Sequence, residues 1–248
     1  SWCRHGFFRP DATMPPSCCA KRIAFMLELG VKFLISYFIG SLMGALIVGK
    51  LRGGVDIRTM GSGNAGGTNA LRTQGFLFAL GVVIIDVGKG VIGAGIVPGL
   101  DIPLVPANPE VSRTWLTLSC GAAAVFGHVW PIFHRFRGGK GAATLVGTLV
   151  ITGPMLIPPL LAVFVVVLIL SGYVGLSTMA AAISVPVLIA IRHLPDQQPL
   201  FIYCLVMAGF IVFWHRSNIS RMRDGSEHRN WKLMIFSGKR KAANDEQS

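Results

Sequence analysis

The apolar residues of this chain come in long unbroken blocks, separated by short polar stretches in which glycine and arginine recur. Residues 27–48, 76–97 and 114–133 each reach the ~20 residues that a helix needs to cross the hydrocarbon core of a bilayer. Residues 142–191 are almost continuously apolar, interrupted by Pro154, Pro158, Pro159 and by Gly172-Tyr173-Val174-Gly175, and residues 200–214 form the last block. A segment in lipid must satisfy its own backbone N–H and C=O groups, so each block is expected to be helical. Proline lacks the amide donor and ends or kinks a helix. The long block therefore divides at its prolines and again near Gly172 into three short helices, giving about seven spans. Helices of about 16 residues reach only about 24 Å, so local thinning of the bilayer or buried half-spans would be needed. A five-span version, with 145–170 as one helix and 175–191 not crossing, keeps the same parity.

Composition supports that pattern. The 248 residues are 52% hydrophobic and 14% charged, with mean hydropathy +0.60, more apolar surface than one soluble core can hide. The fold class is an all-α polytopic membrane protein. The formal charge of +12 lies in loops and the C-terminal stretch, where anionic lipid and the positive-inside rule account for it, and nucleic acid is not expected as a partner. The five cysteines have no C-x-x-C spacing, and Cys120 and Cys204 fall in apolar blocks, so neither a disulfide framework nor a metal site is expected. Residues 1–25 read as a disordered extension, 26–236 as one membrane-embedded unit, and 237–248 as a disordered tail. Asp86 and Lys89 lie one helical turn apart inside the second span, where such a costly placement favours a structural ion pair.

Three polar clusters interrupt the apolar pattern. In the first, Gly61-Ser62-Gly63-Asn64-Ala65-Gly66-Gly67-Thr68-Asn69 and then Arg72, the glycines allow positive φ and turn N–H groups toward one point. Ser62, Asn64, Thr68, Asn69 and Arg72 add short donors and a forked cation, an inventory suited to phosphate. The stretch contains G-x-G-x-x-G, but the dinucleotide fingerprint needs a preceding strand and a βαβ unit, and Asp86 lies in an apolar block. The second cluster frames Lys140 with Gly138, Gly139 and Gly141. A P-loop would have glycine at His134 and Ser or Thr at Gly141, so the nucleotide reading fails while the close backbone approach and compact charge remain. The third runs from His215 through Asn218 and Arg221 to Glu227. If the three build one site they share one membrane face, and the loop 98–113, with Asp101 and Glu110, lies on the other.

Val55-Asp56-Ile57-Arg58 leading into GSGNAGGTNALRT, then GHVWPIFHRFRGGKGAAT, then His215-Arg216-Ser217-Asn218-Ile219 with Arg221, Gly225 and Glu227 resemble the three-motif pattern of the bacterial PlsY family, the acyl-phosphate:glycerol-3-phosphate acyltransferases. Asp86-Val87-Gly88-Lys89-Gly90 also matches, and the resemblance covers about residues 27–227. Trp214 stands where the family usually has arginine, and Ser217 where it usually has glutamate. The resemblance implies transfer of a fatty acyl group from acyl phosphate to the 1-hydroxyl of glycerol-3-phosphate, at the cytoplasmic face of the bacterial inner membrane. It implies no cofactor and no obligate protein partner, with membrane lipid as the surroundings. Ser62, Arg72, Lys140, His215 and Asn218 would be catalytic, the first three holding phosphate and the last two orienting glycerol-3-phosphate. Thr68, Asn69 and Glu227 would support them, and Gly61, Gly63, Asn64, Gly66, Gly138, Gly139, Gly141, Thr144 and Arg221 would line the phosphates. Either His215 or the acceptor's own phosphate could take the hydroxyl proton. None of the six histidines starts the H-x-x-x-x-D of thioester-dependent acyltransferases, so acyl-coenzyme A is not the expected donor. The competing reading is a secondary transporter for a phosphorylated solute, for which repeated halves are the usual sign. No second copy of GSGNAGGTN or GGKG occurs.

Overall fold

A computed structural model describes residues 16–105, 107–192 and 194–235. Its regular elements are helices: α1 (Pro16–Gly40), α2 (Gly44–Leu51), α3 (Gly67–Gln74), α4 (Phe76–Val91), α5 (Arg113–Val129), α6 (Ala142–Thr152), α7 (Ile157–Ser171), α8 (Val174–Arg192), α9 (Gln198–Trp214) and α10 (Arg216–Arg223). No strand occurs among the described residues beyond one isolated bridge, Ile102 to Val105. Five helical stretches are long and apolar enough to cross a membrane: Arg22–Gly40, Phe76–Gly99, Arg113–His134, Pro154–Ser171 and Val174–Arg192. α9 and α10, bent by 50° at His215, can make a sixth, and α6 is apolar but shorter.

The breaks in 142–191 fall where proline and glycine placed them. α6 ends at Gly153, a 3-10 turn Pro154–Leu156 follows, and Gly172 closes α7 in the left-handed conformation at φ 75. A single helix over 145–170 is thereby excluded. The first block differs from expectation, because 27–48 is not one helix: α1 stops at Gly40 and α2 starts at Gly44. No proline marks that break. Lys89 Nζ donates to the freed carbonyl of Leu42 at 2.9 Å, and Asp86 Oδ1 accepts from the Gly44 amide at 3.3 Å. The two are themselves paired at 3.0 Å. A membrane helix can break where side chains satisfy its freed backbone groups, and that is the structural role of this ion pair. α1 also begins at Pro16, so residues 16–25 are helical rather than disordered. Residues 1–15 and the expected tail, 237–248, lie outside the described residues.

Three apolar cores organise the described residues, the smallest made by Val97, Val111, Leu116 and Cys120. Leu118 and Val125 of α5, Leu149 of α6, Val185 of α8, and Tyr203 and Ile211 of α9 belong to the largest. Met43, Ala45, Ile57, Ala70, Phe78 and Val82 form a smaller one beneath the first polar cluster. Small residues let the helices approach closely, as membrane packing requires. A Cβ on Gly40 would strike the Ala124 carbonyl, and one on Gly127 would strike that of Tyr37, which locks α1 against α5.

Candidate functional site

The first cluster folds around Asn69. Its side chain is buried, accepts from the Ser62 amide at 2.9 Å, and donates to the carbonyls of Ile57 and Met60 at 2.9 and 3.0 Å. Both amide protons are taken up by the loop, so Asn69 shapes the site rather than reaching for phosphate as the sequence suggested. Positive φ occurs at Gly61 and Gly63, 55° and 70°, while Gly66 caps α3 and Gly67 begins it in ordinary conformations. Ser62 is exposed, and Asn64, Thr68 and Arg72 are half-buried. Arg72, on α3, makes no hydrogen bond among the described residues, and burial pushes its guanidinium down from the usual arginine range.

The second cluster sits against the end of α5. The Gly139 amide donates to the His128 carbonyl at 3.1 Å, and Gly141 turns the chain into α6 with φ 86, a conformation that a side chain would strain. Lys140 lies between them, half-buried, with its Nζ donating to Asn218 Oδ1. Desolvation first, then the neighbouring Arg221, lowers the Lys140 pKa to about 8, and Arg72 adds to the effect while Glu227 opposes it. Thr144, in the first turn of α6, is fully buried, and its hydroxyl has no hydrogen-bond partner among the described residues.

The third cluster completes the arrangement. Asn218 Nδ2 donates to Glu227 Oε1 at 3.1 Å, and Arg221 Nε donates to Glu227 Oε2 at 2.7 Å. Asn218 therefore joins Lys140 to Glu227, and Glu227 joins Asn218 to Arg221. The electrostatic influence of Arg72 on Lys140 and of Glu227 on Arg72 places the first cluster beside the same group. Three cations then face one carboxylate, leaving two positive charges uncompensated. His215 is buried with Nδ1 2.7 Å from the Ile211 carbonyl, a contact that assigns the ring proton to Nδ1 and leaves Nε2 as the acceptor. Burial depresses its pKa to about 4, so the ring is neutral at physiological pH.

Two spaces adjoin this group. A groove of about 330 Å³ is lined by Asn64, Gly138, Gly139, Lys140, Trp214 and Ser217 among others. A cavity of about 190 Å³, lined almost entirely by apolar side chains, begins at Ala142 and is bounded by Leu149, Phe164, Ala182 and Cys204. Its lining spans Ala142 to Leu149 on α6 and Thr178 to Val185 on α8, a depth of about 10 Å at ~1.5 Å per residue.

Sequence reasoning passed over two residues that shape the site. Gly175 carries the start of α8 so close to Asn218 that a Cβ there would lie 2.9 Å from Nδ2. His128, quoted only as part of a motif, is buried beneath Gly139 and has Nδ1 3.4 Å from Asp86. An ionisable side chain inside a membrane helix was the available signal for the second; a glycine in a helix-breaking quartet gave none for the first.

Known proteins share this architecture. A family model described as glycerol-3-phosphate acyltransferase matches residues 31–225. The glycerol-3-phosphate acyltransferase of Salinibacter ruber is 42% identical over 214 residues, which cover 82% of this chain and 92% of that protein. That of Chlorobium phaeobacteroides is 37% identical over 228 residues, covering 82% and 97%. Two crystal structures of PlsY (YgiH), an integral membrane glycerol 3-phosphate acyltransferase, superpose with TM-scores of 0.68 and 0.67 at 28% identity, covering 81% of this chain and 94% of theirs; one is the glycerol 3-phosphate form and the other the lysophosphatidic acid form. With nearly the whole membrane region matched in sequence and in fold, the chain belongs to the glycerol-3-phosphate acyltransferase family, as an integral membrane protein.

Proposed function

We infer that this protein transfers a fatty acyl group from acyl phosphate to the 1-hydroxyl of sn-glycerol 3-phosphate, giving lysophosphatidic acid and inorganic phosphate, the first acylation of phospholipid synthesis. The observation that carries the reading is the convergence of Arg72, Lys140 and Arg221 on one carboxylate, Glu227, beside an apolar cavity. Both substrates bring phosphate to the two uncompensated positive charges. The acyl chain enters the cavity that begins two residues beyond Lys140, and that order along α6 sets the donor's carbonyl at the boundary between apolar and cationic regions. Family membership sets the transporter reading aside.

The reaction follows from those placements. The acceptor hydroxyl oxygen attacks the carbonyl carbon, the bond from that carbon to the phosphate oxygen breaks, and inorganic phosphate leaves with the bonding electron pair. A mixed anhydride already has a good leaving group, so orientation and charge stabilisation are sufficient and no protein nucleophile is needed. Lys140 and Arg72 hold the donor phosphate as it gains charge, with the Ser62 hydroxyl and the Gly138–Gly141 backbone as further donors in this reading. Asn218, fixed by Glu227, and His215 orient glycerol-3-phosphate. The hydroxyl proton passes to His215 Nε2 or to the acceptor's phosphate, and pH dependence separates the two. Asn69 serves the loop rather than the ligand, because both its amide protons are taken up by backbone carbonyls.

In this reading the chain crosses the bilayer seven times. The short apolar helix α6 makes one of these crossings and α9 the last, which leaves His215 and α10 in the third cluster. The three clusters then face the cytoplasm of the bacterial inner membrane, and the loop carrying Asp101 and Glu110 faces outward. Purified protein offered acyl phosphate and glycerol-3-phosphate should release phosphate and form lysophosphatidic acid in equal amounts, and offered acyl-coenzyme A of the same chain length it should not. Comparable rates with the thioester would overturn the assignment of the donor.

A further inference from the structure

Asp86, Lys89 and His128 form a second buried polar centre, and the mechanism above uses none of them. Each is at most 3% exposed. One carboxylate oxygen, Asp86 Oδ1, meets Lys89 Nζ at 3.0 Å, the Gly44 amide at 3.3 Å and His128 Nδ1 at 3.4 Å. The last approach lacks hydrogen-bond alignment, so it is a packing contact rather than a directed bond. Lys89 and Asp86 together are explained by the helix break at 41–43. His128 is not.

The far side of the His128 ring touches the loop that carries Lys140. A Cβ built on Gly139 would fall on the imidazole, with Nε2, Cε1 and Cδ2 as its three nearest atoms, and one built on Gly138 would fall on the His128 carbonyl. The Gly139 amide donates to that same carbonyl. The loop therefore lies flat on one residue, touching both its backbone and its ring. Through Asp86 and Gly44, the same centre holds the start of α2, which leads into the first polar cluster. Glycine at 139 is thus required by the ring beneath it, whatever ligand lies above.

We propose that His128, braced by Asp86, is a positioning residue: its imidazole is the bed on which Gly139 rests, and it sets the depth at which Lys140 meets the donor phosphate. The proposal rests on the reading of Lys140 as a phosphate-holding residue. Replacing the ring should free the loop, and a side chain at 139 should be tolerated only once the ring is gone.

The test uses full-length protein in detergent or vesicles, with folded yield measured for every variant and turnover given per folded molecule. Gly139→Ala should lower kcat by about 100-fold, and adding His128→Ala should recover at least about ten-fold of that loss. In a Lys140→Ala background, His128→Ala should change the residual rate by less than about two-fold, because a residue acting only through Lys140 has nothing left to act on. If His128→Ala does not fold, His128→Gln takes its place in both arms. A double variant no better than Gly139→Ala alone would overturn the proposal, since the glycine would then be demanded by ligand. So would a full independent effect of His128→Ala in the Lys140→Ala background, the sign of a purely structural role. A Lys140→Ala enzyme with nearly normal turnover would instead defeat the underlying reading of the site, an outcome distinguishable from the other two.

Discussion

The two ends of the bundle hold similar charged residues in opposite states. At the end near loop 98–113, Glu28 is fully buried and receives Arg113 at 2.6 and 3.0 Å, Lys32 at 3.0 Å and the Asn108 amide at 2.8 Å. Lys32 also donates to the Pro98 carbonyl at 2.8 Å. At the other end, Glu227 is one carboxylate near three cations and accepts from Arg221 alone of them, Arg72 has no hydrogen-bond partner among the described residues, and Lys140 is held by a neutral amide. A buried charge without a counter-ion lowers stability, and a ligand that brings the missing charge removes that penalty. The closed network staples a loop to α1, while the open one keeps the unpaired positive charge that the proposed reaction would match with substrate phosphate.

The sharpest way to break this contrast is to open the closed network. Glu28→Ala leaves the buried Lys32 without its counter-ion and should lower unfolding stability by about 3–5 kcal/mol, the cost expected when one partner of a buried ion pair is removed. Thermal unfolding in detergent measures it, and turnover per folded molecule should stay at the wild-type value. Loss of turnover without loss of stability would mean that the two ends do not differ in kind.

The converse change removes a cation from the open network. Lys140→Ala and Arg72→Ala should each lower turnover by about 100-fold, or about 2.7 kcal/mol, as expected when a charged donor to a transferring phosphate is lost. Their unfolding midpoints should hold or rise, because each substitution relieves repulsion among uncompensated charges. A large drop in midpoint with either variant would place that residue with Glu28 as structure.

The apolar cavity allows a finer distinction. Ala182→Phe fills space beside Cys204 and Phe164 and should reduce kcat/KM for long-chain acyl phosphate by about ten-fold, leaving short-chain donors nearly unaffected. Equal losses for all chain lengths would show that the cavity does not hold the chain.

What was legible in the sequence divides along the same line. Glycine-rich and basic stretches between apolar blocks disclosed the open site, since residues meeting a ligand must sit in polar loops, and each cluster is nearly contiguous in sequence. The prolines at 154, 158 and 159 and Gly172 likewise marked real helix ends. The closed network was passed over: Glu28 and Lys32 lie one helical turn apart in one block, but the Asn108 amide and Arg113 that complete it are 80 and 85 residues away. The break at 41–43 was hidden for a similar reason, since Asp86 and Lys89 stabilise it from another helix. Asn69 shows the limit within the site: a polar residue in a glycine-rich loop reads the same whether it serves ligand or loop, and only its buried partners separate the two.

The smallest effect concerns pH, and it tests the open state of Lys140 directly. Its pKa near 8 is depressed mainly by desolvation and then by Arg221, and kcat/KM reports the free enzyme. The rate constant should therefore be halved at about pH 8 and fall about ten-fold per unit beyond it, while kcat, which reports the complex, should hold to higher pH because bound phosphate favours the charged amine. The stability contribution runs the other way. A lysine whose folded pKa lies below its unfolded value of 10.5 opposes folding at low pH, and that penalty fades as pH rises through 8. Ligand-free protein should thus gain stability from this residue over the range in which it loses activity, a gain absent from Lys140→Met. Lys140→Arg, slower at neutral pH because its fork replaces a point charge, should lose the alkaline limb altogether. His215, neutral above about pH 4, supplies no limb near neutrality. An acidic limb near pH 6 then belongs to the second ionisation of the acceptor's phosphate, at about 6, and assigns it the hydroxyl proton. Activity that stays flat down to about pH 5 assigns the proton to His215 instead.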